Sequence, residues 1–228
     1  MPPFSCVMRR NMIYCKQQST KGGVCVEYLL VIAAAYLLGC SNMALYISKM
    51  KRIELRDGGS GNLGASNATA LMGWRAGIAV AVHDIGKSAL AVFVAKYLFP
   101  QLPLIGAVAG VASILGHIFP FYLKFKGGKG FASYFGMTLA LNWKLALFIF
   151  IAGILLTVIT DYIVCATTMT VVLVPTYLGI AEHSILLALI LCIATVVIIY
   201  KHRMNYVRIY NGTEMGLRSV AKGKHRVR

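Results

Sequence analysis

The chain has 228 residues, of which 58% are hydrophobic and 13% charged, and its mean hydropathy is +0.72. A water-soluble domain is about 45–50% apolar and about 25% charged, so this composition excludes an ordinary soluble globule. The net charge is +16, from 23 Lys and Arg against 7 Asp and Glu. In a membrane protein, an excess of basic residues indicates cytoplasmic loops or sites for anionic ligands, so nucleic-acid binding is the weaker explanation of this charge.

Long apolar stretches follow one another along most of the chain. They approach the roughly 20 residues that a helix needs to cross a bilayer. They cover residues 24–47, 76–99, 102–123, 130–141, 145–160, 164–179 and 184–200. We therefore predict an all-α, polytopic integral membrane bundle of about seven transmembrane helices. The stretch 130–141 is the weakest, because its length as a helix is only about 18 Å.

The distribution of Lys and Arg predicts how these helices are oriented. If the helices alternate in direction, 16 of these residues fall in loops on the side of the C-terminus and 6 on the other side. This excess predicts an outside N-terminus and a cytoplasmic C-terminus, although four positive charges in the first 22 residues should resist export. We predict a disordered basic tail over 1–22, a membrane domain over 23–215 and a basic tail over 216–228.

A polar, glycine-rich segment follows the first predicted helix. It contains the spacing G-x-G-x-x-G, but a dinucleotide site would need a preceding β-strand, and here a membrane helix precedes the glycines. Glycines let backbone N–H groups converge on an anion, and Ser and Asn side chains add donors. The candidate ligands are Gly59, Ser60, Gly61, Asn62, Gly64 and Asn67. The alternative is a flexible cytoplasmic loop.

A second glycine-rich segment follows the third predicted helix and carries formal charge. It reads Lys126-Gly127-Gly128-Lys129. Two lysines on a glycine turn before a helix N-terminus are suited to binding phosphate. The alternative is a topology signal, which is weaker for Lys129 because this residue leads directly into the shortest predicted span.

Two polar pairs have helical i, i+3 spacing. His202 and Asn205 share one helical face where the last span ends, which indicates either an interfacial cap or part of a site. Asp84 and Lys87 lie within the second span, where ionisable residues are expensive and usually functional. Their alternative is an internal ion pair that fixes helix packing.

These clusters, in this order, resemble the bacterial acyl-phosphate:glycerol-3-phosphate acyltransferase family, PlsY. The first family motif is matched by 59–67 with Ser66 in place of Thr, and the second, which contains His117, by 116–130 without a gap. An Asp-x-x-Lys-Gly motif is matched by Asp84 and Lys87, with Ser88 in place of Gly. The third motif is matched by His202, Asn205, Arg208, Gly212 and Glu214.

The resemblance implies transfer of an acyl group from acyl phosphate to glycerol 3-phosphate, giving 1-acyl-glycerol-3-phosphate. It implies a multi-pass protein of the cytoplasmic membrane, with its active site at the cytoplasmic face, and we expect a monomer. Catalytic residues would be His202, Asn205 and Ser60. Substrate contacts would come from Gly59, Gly61, Asn62, Gly64, Asn67, Lys126, Gly127, Gly128, Lys129, Arg75, Asp84, Lys87 and His117.

The chemistry of this reaction agrees with the residues present. Phosphate is a good leaving group, so a covalent Ser or Cys intermediate is not needed. The sequence has no His-x-x-x-x-Asp, the acid–base pair of the other large class of glycerolipid acyltransferases. Six scattered cysteines without Cys-x-x-Cys predict neither a disulfide framework nor a metal site, and we expect no cofactor.

One position departs from the family pattern. The resemblance implies an Arg that binds the acceptor phosphate ten residues after the motif Ser, but Ala70 stands there. Arg75 or Arg56 are candidate substitutes. The alternatives are a paralogue with another phosphorylated acceptor, or a non-catalytic lipid-phosphate binder or transporter.

Overall fold

The computed structural model describes residues 5–9, 12–16 and 21–218. Over these residues the chain forms helices α1 Lys21–Cys40, α2 Met43–Lys51, α3 Ala65–Met72, α4 Trp74–Leu98, α5 Ile105–Ile118, α6 Phe131–Leu141, α7 Trp143–Thr160, α8 Ile163–Ala181 and α9 Ile185–Tyr210. A 3-10 turn covers Phe121–Leu123. Six candidate spans are long and apolar enough to cross a membrane, and α6 is a shorter apolar helix. The predicted all-α membrane bundle is confirmed.

Two segments outside the bundle bear on the predicted tails. Strands β1 Ser5–Arg9 and β2 Met12–Lys16 pair with each other in antiparallel orientation. Near the other end, the backbone N–H of Leu217 donates to the Asp161 carbonyl at 2.9 Å. Residues 219–228 lie outside the described part, and the division into domain and tails stays a prediction.

The first predicted span is two helices rather than one. α1 ends at Cys40 and α2 begins at Met43, where the Asn42 side chain caps α2 by accepting from the Leu45 N–H at 2.9 Å. Two backbone carbonyls at the break accept hydrogen bonds from distant side chains, since Tyr122 donates to Cys40 and Lys87 donates to Ser41, each at 2.7 Å. The break is therefore held by the tertiary fold.

The last helix is longer than the sequence predicted. α9 continues ten residues past position 200, to Tyr210. Its first turn is capped by Ser184, and no Gly or Pro interrupts it before Gly212. His202 and Asn205 thus lie within a regular helix rather than after its end.

The packing of the bundle fits a bilayer. A buried core joins helices α4 to α9 and includes Ile114 of α5, Met137 of α6, Val174 of α8 and Leu191 of α9. Large apolar side chains cover the outside of α7, for example Ile159, which is 74% exposed. Such a continuous apolar exterior would be unstable in water and is satisfied by lipid.

Candidate active site

The three polar segments predicted from the sequence meet at one end of the bundle. They surround an open cleft of about 230 Å³. Four of the predicted residues line it: Ser60, Gly61, Asn62 and Lys129. Four residues of α9 complete the lining: Lys201, Arg203, Met204 and Arg208. The cleft is polar on the loop side and cationic on the α9 side.

The first glycine segment is shaped by the buried side chain of Asn67, in the first turn of α3. Its Oδ1 accepts from the Ser60 backbone N–H at 2.8 Å, and its Nδ2 donates to the Leu55 carbonyl at 2.9 Å. Gly59 has a φ of +58°, and a Cβ at this position would collide with Asn67 Oδ1. Asn67 therefore holds the loop that presents Ser60 to the cleft.

The second glycine segment folds back onto the end of α5. The Gly127 and Gly128 N–H groups donate to the carbonyls of Ile118 and His117 at 3.0 and 3.1 Å. Gly128 is required by close packing, because a Cβ there would collide with the His117 imidazole. This turn directs Lys129 into the cleft. Arg56 joins the two glycine segments by donating to the Lys126 carbonyl at 2.7 Å.

A chain of polar contacts connects the second segment to α9 and the residues after it. Lys129 Nζ donates to Asn205 Oδ1 at 2.5 Å, and Asn205 Nδ2 donates to Glu214 Oε1 at 2.5 Å. Glu214 Oε2 pairs with Arg208 Nε at 2.6 Å. Asn205 therefore positions the Lys129 ammonium that lines the cleft, and Glu214 fixes the orientation of both Asn205 and Arg208.

His202 is a buried residue of α9. Its neighbours in the sequence, Lys201 and Arg203, line the cleft. Its Nδ1 is 2.9 Å from the Ile198 carbonyl, which can only accept. The proton of a neutral imidazole therefore sits on Nδ1, and Nε2 keeps a lone pair. In this tautomer His202 can accept a proton or a hydrogen bond from a substrate hydroxyl.

Asp84, Lys87 and His117 form a buried cluster rather than part of the cleft lining. Their exposed fractions are 2%, 4% and 3%. Lys87 Nζ lies 2.8 Å from Asp84 Oδ1 and 2.9 Å from His117 Nδ1, in addition to its bond to the Ser41 carbonyl. Because His117 packs against Gly128, the cluster stabilises the position of the second glycine segment. This placement fits the alternative interpretation of the sequence, in which Asp84 and Lys87 form an internal ion pair that fixes helix packing.

The structure separates the remaining candidates from the cleft. Arg75 is exposed and stacks on Trp74, with its guanidinium carbon 5.4 Å from the ring centre, and it is not among the lining residues. Ala70 is exposed on α3. The sequence analysis did not select Lys201 and Arg203 as site residues. Their position next to His202 was the signal that could have identified them.

Comparisons with known proteins identify the family of this chain. A profile of the family described as glycerol-3-phosphate acyltransferase matches residues 29–212. A relative of that name from Coxiella burnetii is 36% identical over 190 residues, covering 83% of this chain and 97% of its own. Another from Prochlorococcus marinus is 37% identical over 191 residues, covering 82% of this chain and 95% of its own.

Two solved structures have the same fold. One is a crystal structure of PlsY, an integral membrane glycerol 3-phosphate acyltransferase, in its glycerol 3-phosphate form, with a TM-score of 0.80, 30% identity and coverage of 85% of this chain and 97% of that chain. Its lysophosphatidic acid form has a TM-score of 0.73 at 30% identity, covering 83% and 94%. The resemblance drawn from the motifs is confirmed, and the chain belongs to the glycerol-3-phosphate acyltransferase family.

Proposed function

We propose that the protein transfers an acyl group from acyl phosphate to glycerol 3-phosphate. The glycerol hydroxyl oxygen attacks the acyl carbonyl carbon, and a new ester C–O bond forms. The bond between the acyl carbon and the phosphate oxygen breaks, and phosphate leaves with the electron pair. The hydroxyl proton goes to His202 Nε2 or to the departing phosphate, and the product is 1-acyl-glycerol-3-phosphate.

The observation that supports this proposal most is the composition of the cleft. The side chains of Ser60 and Asn62 offer neutral donors, and Lys129 and the α9 cations face the same space. Donors and cations of this kind hold phosphate groups and stabilise the charge that develops on the carbonyl oxygen during acyl transfer. We expect the active protein to be a monomer.

The proposal is tested by offering the purified protein different substrates in lipid vesicles. With acyl phosphate and glycerol 3-phosphate we expect 1-acyl-glycerol-3-phosphate, whereas an acyl thioester should not replace the donor. A series of other phosphorylated alcohols tests the acceptor. Efficient acylation of one of them, with glycerol 3-phosphate inert, would identify a paralogue with a different acceptor.

Lys129 provides a pH prediction for this reaction. Burial, together with the nearby positive charges of Arg208 and Lys201, lowers the pKa of Lys129 to about 8, although Glu214 acts in the opposite direction. The ammonium form binds phosphate, so kcat/KM should fall as the pH rises above about 8, by up to about tenfold per pH unit. The phosphate itself titrates near pH 6 and is already dianionic in this range.

A matched variant separates Lys129 from other groups. Lys129→Arg keeps the positive charge at all accessible pH values, so the decline in kcat/KM between pH 8 and 9.5 should disappear in this variant. An identical decline in the variant and the wild type would show that another group causes it.

We propose that the cleft faces the cytoplasm, because the loops on its side carry most of the Lys and Arg residues. The test uses a variant without native cysteines. Cysteine at Lys124, an exposed residue on the cleft side, should be protected from an impermeant thiol reagent added outside intact cells. Cysteine at Gln101, exposed between α4 and α5, should react. The reverse labelling pattern would invert the orientation.

A further inference from the structure

The α9 side of the cleft carries more positive charge than the neighbouring protein groups neutralise. Four lining residues are cationic: Lys129, Lys201, Arg203 and Arg208. Among the ion pairs found in residues 21–218, only one involves this group, between Arg208 and Glu214. Three cations therefore face an open space of about 230 Å³ without a carboxylate in contact.

Two of these cations are held in place by aromatic rings. The guanidinium carbon of Arg203 lies 4.1 Å from the centre of the Tyr200 ring. Arg203 Nη1 donates to the Tyr200 carbonyl at 3.0 Å. The Lys201 ammonium lies 5.1 Å from the centre of the Phe119 ring. Ring contacts orient a cation and leave most of its N–H donors available.

The positions of these two residues differ in their access to water. Arg203 is exposed, and Lys201 is half-buried. Both are sequence neighbours of His202 and line the same cleft. Two cations that face one cleft without a carboxylate partner are suited to a doubly charged anion.

We propose that Lys201 and Arg203 form a binding subsite for the phosphate group of a substrate. The inference rests on the proposed function, since that reaction requires two phosphate groups near each other. The bound group is either the phosphate of glycerol 3-phosphate or that of the acyl donor. Lys129 and the first glycine segment remain for the other phosphate.

Steady-state kinetics of Lys201→Met and Arg203→Met test the subsite. We expect KM for one of the two substrates to rise about 5- to 10-fold in each variant, the size of one lost solvent-accessible hydrogen bond, with kcat nearly unchanged. The substrate whose KM rises identifies the phosphate that is bound. A KM increase confined to glycerol 3-phosphate assigns the acceptor, and one confined to acyl phosphate assigns the donor.

Two controls exclude a general effect of lost charge or lost packing. Lys144→Met removes a lysine that also packs on an aromatic ring, Trp143, but lies outside the cleft, and should leave both KM values unchanged. Arg203→Lys keeps the charge and should recover part of the affinity. Raising the salt concentration should reduce the difference between Arg203→Met and wild type, because exposed charges are screened.

Binding of inorganic phosphate separates this inference from the proposed reaction. Titration calorimetry of the protein in lipid nanodiscs should show weaker phosphate binding in the double variant of Lys201 and Arg203 than in wild type. Weaker binding with no acyl transfer by the wild type would support the subsite and contradict the proposed reaction. Unchanged phosphate binding and unchanged KM values in the double variant would overturn the subsite while acyl transfer by the wild type stands.

Discussion

Replacing His202 or Asn205 with Ala is expected to lower turnover at least about tenfold, the effect of losing one polar contact of about 1.4 kcal/mol. His202 Nε2 accepts the hydroxyl proton or a hydrogen bond in the proposed reaction, and Asn205 holds the Lys129 ammonium at 2.5 Å. If His202 acts as a general base, the loss should reach about 100-fold or more. Initial rates at saturating substrate measure it.

Conservative substitutions distinguish the two roles of His202. Gln can offer a hydrogen bond near the position of Nε2 but cannot take a proton at neutral pH, so His202→Gln should retain activity only if the imidazole orients the hydroxyl. Val207→Ala is the matched control, because this residue is exposed on the same helix and its apolar side chain has no polar group to offer a substrate. Turnover at the wild-type rate in both Ala variants would remove His202 and Asn205 from the reaction.

Replacing Lys87 with Met is expected to have the largest effect on stability. The Lys87 ammonium contacts Asp84, His117 and the Ser41 carbonyl, and its removal leaves the Asp84 carboxylate buried without its cation. Breaking a buried ion pair on one side costs about 3–5 kcal/mol. Thermal unfolding in detergent should show a midpoint lower by on the order of 10 °C.

A double variant tests the cause of that loss. Combining Asp84→Asn with Lys87→Met removes both charges, and part of the lost stability should return. Lys144→Met, at an exposed lysine, should change stability by less than about 0.5 kcal/mol. If the single and double variants unfold at the wild-type temperature, the buried cluster does not hold the helices together.

The features that the sequence predicted are those with local signals. Apolar length and hydropathy predicted the helices, and local motifs predicted the polar segments around Ser60, Lys129 and His202. The break after Cys40 could not be predicted, since the apolar run is continuous and the partners of its carbonyls, Lys87 and Tyr122, come from distant positions.

The α9 cations were not predicted for a different reason. Lys and Arg at the end of an apolar span are also the ordinary topology signal, so Lys201 and Arg203 carried no distinct information. Only the longer α9 and the position of the aromatic rings bring both side chains to the cleft. Conversely, Arg75 was a plausible phosphate ligand by spacing, and the structure stacks it on Trp74 instead.

Isotope labelling tests the proposed acyl transfer most directly. Glycerol 3-phosphate carrying ¹⁸O in its C1 hydroxyl is mixed with acyl phosphate and the protein in vesicles, and the products are analysed by mass spectrometry. The proposed reaction predicts 1-acyl-glycerol-3-phosphate with the label in its ester bond, and one unlabelled phosphate released per ester formed. Phosphate release without labelled ester would show hydrolysis of the donor and contradict acyl transfer to glycerol 3-phosphate.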